Sequence, residues 1–252
     1  MRGIDISHYQ KDLDLSALRA DGSQFVILKL SEGRGIPDES FDRFYEQAQA
    51  LGIQVGAYVY SHATNASVAQ EEAVYALSLL KGRILPLGIF MDVEEPEQMR
   101  TPRDQLMQTV TAFCRTVERS GYSSGIYGSE FNLWTRISVD DVADSLIWVA
   151  HYGREPDIPC DLWQSGDNGV LPGYGAPVDT DVVRSDRFRE LVTAANRPDG
   201  QCAEPQKADP VVRMLQCCMA QDGYWQSDRI DGQKSQEFRE KIKEYAADVA
   251  AC

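Results

Sequence analysis

The strongest chemical signal in the sequence is a pair of acids in segment 90–94, which reads FMDVE. In a strand, Asp92 and Glu94 would face the same side and lie about 6 to 7 Å apart. Glycoside hydrolysis uses such a pair, because a protonated carboxyl donates to the leaving oxygen while the other stabilises positive charge or activates a nucleophile. The alternative is a solvated acidic loop, since Glu95 and Glu97 continue the acidic run.

Other acids fall in the first and last predicted strands. Asp5 lies in the first strand, and Asp179 and Asp181 lie in the last. In a barrel of parallel strands, functional groups gather where the strands end, so these acids are candidates for the same site. Lys29 has the parity to face the barrel interior, where an unpaired ammonium would be costly, and Asp5 is its predicted partner.

Three aromatic residues are candidates for contacts with a sugar. Tyr60, Tyr127 and Trp163 follow or end predicted strands. Their rings offer flat apolar faces with polar tips, which suits a carbohydrate groove. Packing inside the barrel is the alternative interpretation of each one.

The three histidines, His8, His62 and His151, each follow a predicted strand, where a metal-dependent barrel hydrolase would hold its ligands. No two of them have the i, i+4 spacing of a helical zinc motif. We therefore expect neither a metal nor another cofactor, and a metal-dependent barrel hydrolase is the alternative enzyme.

Apolar, β-rich segments recur along the chain with helical patterns between them, which predicts parallel strands joined by helices. The predicted strands are 3–7, 25–30, 55–60, 87–93, 125–127, 146–150, 161–164 and 178–182. Helices are predicted over 41–51, after Asn65 and from about Pro102 to Ser120. Because the predicted strands after Tyr127 follow one another with only short or irregular connections, we expect a barrel that is regular in its first half and irregular in its second.

The last 56 residues, 197–252, differ in composition from the rest of the chain. Residues 197–208 have the Pro, Gly, Gln, Lys and Asp composition of a linker. Residues 209–252 contain two amphipathic helical stripes, which predict a small helical unit near the lower size limit for independent folding. Residues 1–196 are thus predicted to form the barrel. Cys114 is predicted to be a core thiol.

Several ordered motifs resemble the landmarks of family 25 lysozymes. They are GIDISHYQ at 3–10, FVILKLSEG at 25–33, GAYVYS at 56–61, DVE at 92–94, GIYGS at 125–129, WVAHY at 148–152, WQ at 163–164 and VD at 178–179. The resemblance covers about residues 1–190. It implies an α/β fold, a modified TIM-like (β/α)5(β)3 barrel, followed here by the small C-terminal helical domain.

The resemblance also implies an activity, the hydrolysis of the β-1,4 bond between N-acetylmuramic acid and N-acetylglucosamine. It implies that Glu94 is the general acid and that Asp92 acts on the substrate's 2-acetamido oxygen or more directly. Asp5 and Asp179 are the implied supporting acids. We add His8 and Asp181, with the three aromatic residues named above, as expected substrate-binding residues.

The acidic composition excludes two classes of binding partner. A net charge of -14 repels nucleic acid and anionic membranes. Segment 209–252 faintly resembles a small peptidoglycan-binding module, so bacterial cell-wall peptidoglycan is the expected partner.

Since residues 1–10 carry no signal-peptide pattern, we expect synthesis in the cytoplasm and action on the wall, as in a phage endolysin. A non-catalytic wall-binding protein on the same barrel is the non-enzymatic alternative.

Overall fold

Short, mostly buried segments form the strands of one sheet. The computed structural model describes residues 1–142, 144–194 and 241. Its strands are β1 (Arg2–Ile6), β2 (Phe25–Glu32), β3 (Ile36–Pro37), β4 (Gln54–Tyr60), β5 (Ile89–Asp92), β6 (Ser124–Ser129), β7 (Leu146–Ala150), β8 (Leu162–Gly169) and β9 (Val178–Val183).

The sheet closes into a barrel because β1 pairs with both β2 and β9. Around the barrel β1, β2, β4, β5, β6, β7 and β8 are parallel, whereas β9 is antiparallel to both of its neighbours. Strand β3 is a short antiparallel addition to the edge of β2. This topology confirms the predicted barrel, including its irregular second half.

Helices cover the outside of the barrel. They are α1 (Ser16–Asp21), α2 (Phe41–Leu51), α3 (Ala66–Leu80), α4 (Pro96–Arg100), α5 (Arg103–Arg119), α6 (Glu130–Arg136) and α7 (Asp186–Ala194), with short 3-10 turns at His8–Gln10 and Val139–Val142. Helix α2 buries Phe41, Phe44 and Ala48 on one face and ends at Gly52, whose φ of 67° is easily adopted by glycine. The side chain of Asn65 caps α3 by accepting a hydrogen bond from the Val68 amide.

Two apolar layers result from the alternation of side chains along the strands. Residues that face outward, such as Val26, Val55 and Met91, pack against the helices with Phe44, Phe113 and Cys114. The predicted core position of Cys114 is therefore confirmed. A second cluster, with Phe25, Phe90 and Trp148, fills the barrel interior. The inside of the barrel is thus packed at its lower levels, which leaves only its upper end available for a site.

No helix in the described part of the chain is long and apolar enough to cross a membrane. The predicted linker at 197–208 and nearly all of the predicted helical unit at 209–252 lie outside the described residues. The cysteines of that region, at 202, 217, 218 and 252, lie outside them as well.

Candidate active site

A cavity of about 480 Å³ opens at the carboxyl ends of the parallel strands. This volume is within the range of roughly 300 to 1,000 Å³ that is typical of small-molecule sites. Most of its lining is polar or aromatic. The lining residues are Asp5, Ile6, Ser7, Tyr9, Gln10, Lys29, Glu32, Tyr58, Tyr60, Asp92, Glu94, Glu95, Tyr127, Trp148, Gln164 and Asp179. Every predicted catalytic acid is among them.

Asp92 and Glu94 differ sharply in their surroundings. Asp92 is the last residue of β5 and is only 4% exposed, whereas Glu94 follows the strand and its side chain reaches into the open cavity. The two carboxyl groups lie within hydrogen-bonding reach of each other. Asp92 is thus a buried carboxyl paired with the accessible Glu94, which argues against the solvated acidic loop.

Burial sets the protonation of this pair. It raises the pKa of Asp92 well above the ordinary value, and the negative charge of Glu94 raises it further. Partial burial likewise raises the pKa of Glu94, helped by the charge of Asp179 and opposed by the hydrogen bond with Asp92. Oδ1 of Asp92 finds no donor among the described residues when every carboxyl is ionised. The pair therefore holds a proton readily, which a general acid requires.

Gln164 orients the opposite side of the cavity. Its Nε2 donates to Asp5 Oδ2 at 2.8 Å. Its Oε1 accepts hydrogen bonds from the hydroxyls of Tyr127, at 2.8 Å, and Tyr152, at 3.0 Å. These three bonds leave the amide a single orientation, so Asp5 is held by a neutral donor rather than by a cation.

Lys29 reaches a different partner from the predicted one. Its Nζ donates to Glu32 at 2.9 Å and lies 5.2 Å from the centre of the Tyr60 ring. A β-bulge between Lys29 and Ser31 inserts one residue, so Lys29 and Glu32 pair with Tyr58 and Tyr60 and share a face. The predicted Lys29–Asp5 pair is therefore wrong. The Lys29 charge instead lowers the pKa of Asp92, against the larger effect of burial.

The three histidines each contact different carboxylates. Nδ1 of His8 lies 2.7 Å from Asp38 Oδ2. His62 lies between Glu32, at 3.3 Å, and Glu95, at 3.2 Å. Nδ1 of His151 lies 2.5 Å from Glu130 Oε2. Within the described residues, no three His, Cys, Asp or Glu side chains are grouped as a metal site would need.

Three of the expected substrate-binding residues do not line the cavity. His8 sits in the turn after β1 and its ring is held by Asp38. Trp163 has the outward parity of β8, and its indole N–H donates to the His151 carbonyl. Asp181 is fully buried, one layer below the cavity. Tyr60 and Tyr127, in contrast, line it as expected.

Several lining residues have no role predicted from the sequence. Tyr58, Trp148 and Gln164 lie inside the quoted motifs, and their strand parity was the available signal. Trp163 and Gln164 are adjacent, so only one of the two can face inward, and that one is Gln164. Ser7, Tyr9 and Gln10 come from the turn after β1, which has no regular pattern.

Comparison with known proteins identifies the family. The family model for glycosyl hydrolases family 25 matches residues 4–174. The chain belongs to glycosyl hydrolase family 25. The family 25 match includes Asp5, Asp92 and Glu94 and ends before Asp179 on β9.

Two curated relatives and one solved structure illustrate this family 25 relationship. The chain is 27% identical over 184 residues to the autolytic lysozyme of Clostridium acetobutylicum, covering 72% of this chain and 55% of that protein. It is 29% identical over 214 residues to lysozyme M1 of Streptomyces globisporus, covering 78% and 72%. The CTP1L endolysin shares the fold with a TM-score of 0.66 at 21% identity, covering 77% and 69%. The chain thus spans little more than half of the Clostridium protein.

Proposed function

We propose that this protein is a peptidoglycan hydrolase, an N-acetylmuramidase that cleaves the β-1,4 bond from N-acetylmuramic acid to N-acetylglucosamine. The observation that carries the proposal is the Asp92–Glu94 pair, one carboxyl buried and the other open to the cavity. Family membership and the names of the two lysozyme relatives support the same substrate.

In the proposed reaction Glu94 donates its proton to the leaving oxygen of N-acetylglucosamine. The bond from that oxygen to C1 of N-acetylmuramic acid then breaks, and positive charge develops at C1 and the ring oxygen. The negative charges that remain among the cavity acids, Asp92 and Asp179 in particular, stabilise this charge. Water finally adds at C1, with Glu94 taking back a proton as general base.

The short distance between the Asp92 and Glu94 carboxyls helps to identify the group that attacks C1. Carboxyls within hydrogen-bonding reach are closer than the roughly 5 to 5.5 Å found when one carboxylate attacks C1 directly and the other is the acid. Asp92 and Glu94 therefore lie on the same side of the reacting bond. This favours attack by the oxygen of the substrate's own 2-acetamido group, which Asp92 would orient.

Where the protein acts is proposed from its composition and from the names of its relatives. The relatives are named as an autolytic lysozyme and a lysozyme, and the solved neighbour as an endolysin. We propose that the protein is made in the cytoplasm and acts on the cell wall, as a phage endolysin does. Residues 209–252 would supply wall binding, joined to the barrel by residues 197–208.

The test is the digestion of purified, insoluble peptidoglycan by the 252-residue chain, with and without a strong chelator. Muramidase action releases new reducing ends and no free amino groups, and chelation leaves the rate unchanged. Release of amino groups without reducing ends would mean cleavage of the peptides. If neither appears although the walls are bound, the barrel is a non-catalytic binding protein. Loss of activity on chelation, with recovery on adding zinc, would support the metal-dependent alternative.

A further inference from the structure

The second acid of β9, Asp181, lies directly beneath the cavity floor. In the antiparallel register of β1 and β9, Asp5 pairs with Asp179, and Gly3 pairs with Asp181. Asp181 therefore faces the barrel interior one layer below the other two acids. It is 0% exposed, and its Oδ1 accepts a hydrogen bond of 2.8 Å from the indole N–H of Trp148.

Asp181 cannot be an ordinary ionised carboxylate beside an ionised Asp5. Its carboxyl lies within hydrogen-bonding reach of the Asp5 carboxyl. Its Oδ2 finds no donor in the described part of the chain when every carboxyl is ionised. Two buried carboxylates in contact cannot both carry a charge, and one proton shared between them satisfies the vacant oxygen.

The described residues around this pair provide no positive charge. Strand β2 places Phe25 and Ile27 opposite Gly3 and Asp5. Strands β7 and β8 contribute the neutral donors Trp148 and Gln164.

Other titratable groups near the pair are acidic or phenolic. Asp179 adds a further negative charge to both acids, and Asp5 in turn acts on the hydroxyls of Tyr58, Tyr127 and Tyr152. Lys29 is turned to Glu32. Within the described part of the chain, a proton is therefore the only positive charge available to the pair.

We propose that Asp181 is a positioning residue that, through a proton shared with Asp5, keeps Asp5 neutral and fixed in place at the floor of the catalytic cavity. Asp181 does not itself touch the cavity. It limits Asp5 and Asp181 together to one negative charge, so that charge does not accumulate beside the Asp92–Glu94 pair. The functional part of this inference rests on the proposed function, whereas the shared proton does not.

Burial and the neighbouring charges of Asp181 and Asp179 raise the pKa of Asp5 well above its ordinary value. In Asp181→Asn one of those charges is absent, so Asp5 should lose its proton at lower pH. Trp148→Phe acts in the opposite direction. It removes the donor that stabilises the Asp181 anion, so the pair should hold its proton to higher pH.

The experiment is carbon-13 NMR of the aspartate carboxyl carbons in the 252-residue chain, with the Asp5 signal identified by its absence in Asp5→Asn. We expect the Asp5 midpoint to fall by at least about one pH unit in Asp181→Asn and to rise in Trp148→Phe. Asp186→Asn, which removes one charge at a 93% exposed side chain, is the matched control and should leave it unchanged.

An Asp5 midpoint that stays within about 0.3 pH unit of the wild type in folded Asp181→Asn would overturn the proposal and make Asp181 purely structural. If that variant does not fold, Trp148→Phe decides, and an unchanged or lowered midpoint there overturns it. In an assay on wall fragments, the alkaline limb of kcat/KM should move to lower pH in Asp181→Asn. The NMR result does not depend on catalysis, so failure of the proposed function would be recognised separately.

Discussion

At the scale of single residues, the two acids of the DVE motif have unequal environments, which supports the unequal roles proposed for them. Asp92 is enclosed by the barrel. Glu94 lies two residues after the end of β5, and its side chain reaches the cavity. A proton held on Glu94 is accessible to a substrate, and a proton held on Asp92 is not. This asymmetry supports the proposal that Glu94 donates the proton.

Glu94→Gln should lower kcat by roughly 10²- to 10⁴-fold while binding of walls is kept, because the amide preserves the shape but has no transferable proton. The measurement is the release of reducing ends alongside a wall pull-down. Glu97→Gln is the matched control, since its side chain is 69% exposed and outside the cavity, and it should behave as wild type. Near-normal turnover of Glu94→Gln would place the acid elsewhere.

Asp92→Asn should reduce activity strongly. Its stability relative to the wild type should nevertheless increase as pH rises. Because burial and the charge of Glu94 hold the pKa of Asp92 well above its ordinary value, folding keeps one proton on the Asp92–Glu94 pair. The contribution of this proton to the free energy of unfolding is then greatest below the unfolded pKa of about 3.9 and is lost as pH rises through the folded pKa. An asparagine does not titrate, so this fall should be smaller in the variant.

Urea denaturation of wild type and Asp92→Asn over a series of pH values measures this difference. The stability of the variant relative to wild type should increase as pH rises above the unfolded pKa of about 3.9, by up to about 1.4 kcal/mol per pH unit. Asp186→Asn again provides the exposed control. Parallel stability curves for wild type and Asp92→Asn would contradict the raised pKa.

At the scale of secondary-structure elements, buried strands were predictable because the barrel makes them continuously apolar. The predicted strand at 146–150 and the helix at 41–51 coincide with β7 and α2. The two-residue β3 and the five-residue α4 were missed, because such short elements carry no periodicity. The Lys29–Glu32 pair was missed because a β-bulge changes which side of β2 each residue faces, and the sequence pattern does not indicate the bulge.

Close packing of β1 against β2 gives a prediction at this scale. A Cβ added at Gly3 would lie 2.5 Å from the Phe25 carbonyl oxygen, which forces either strand to move. Gly3→Ala should therefore lower the free energy of unfolding by about 1 to 3 kcal/mol, as overpacking typically does. The measurement is urea denaturation, with Gly175→Ala as the control because no atom lies within 4 Å of its added Cβ. Equal effects of the two substitutions would refute the packing argument.

At the scale of the whole molecule, the barrel brings acids from different strands together in one cavity. The family match ends at residue 174, and the last described helix, α7, ends at Ala194. The order of motifs along the chain made this architecture predictable, together with the acids that line the cavity. The depth of Asp181 and the orientation of Trp163 depend on strand register, which a single sequence does not specify.

A chain ending at Asn196 should fold and cleave soluble wall fragments at the rate of the 252-residue chain but bind intact walls more weakly. Tethering a binding module raises the local concentration of the catalytic site at an insoluble polymer without changing its chemistry. Turnover of short fragments and pull-down on whole walls separate the two effects. Equal pull-down by both chains would contradict wall binding by residues 209–252, and an insoluble shortened chain would make them part of the barrel's core.

The most direct test of the central claim is the identity of the sugar at each new reducing end. Purified peptidoglycan is digested with the 252-residue chain, and the products are reduced with borohydride, hydrolysed and analysed. Cleavage of the bond from C1 of N-acetylmuramic acid leaves that sugar at the reducing end, so we predict muramitol as the new sugar alcohol. Glucosaminitol in its place would mean that the other glycosidic bond is cut and would contradict the assignment as a muramidase.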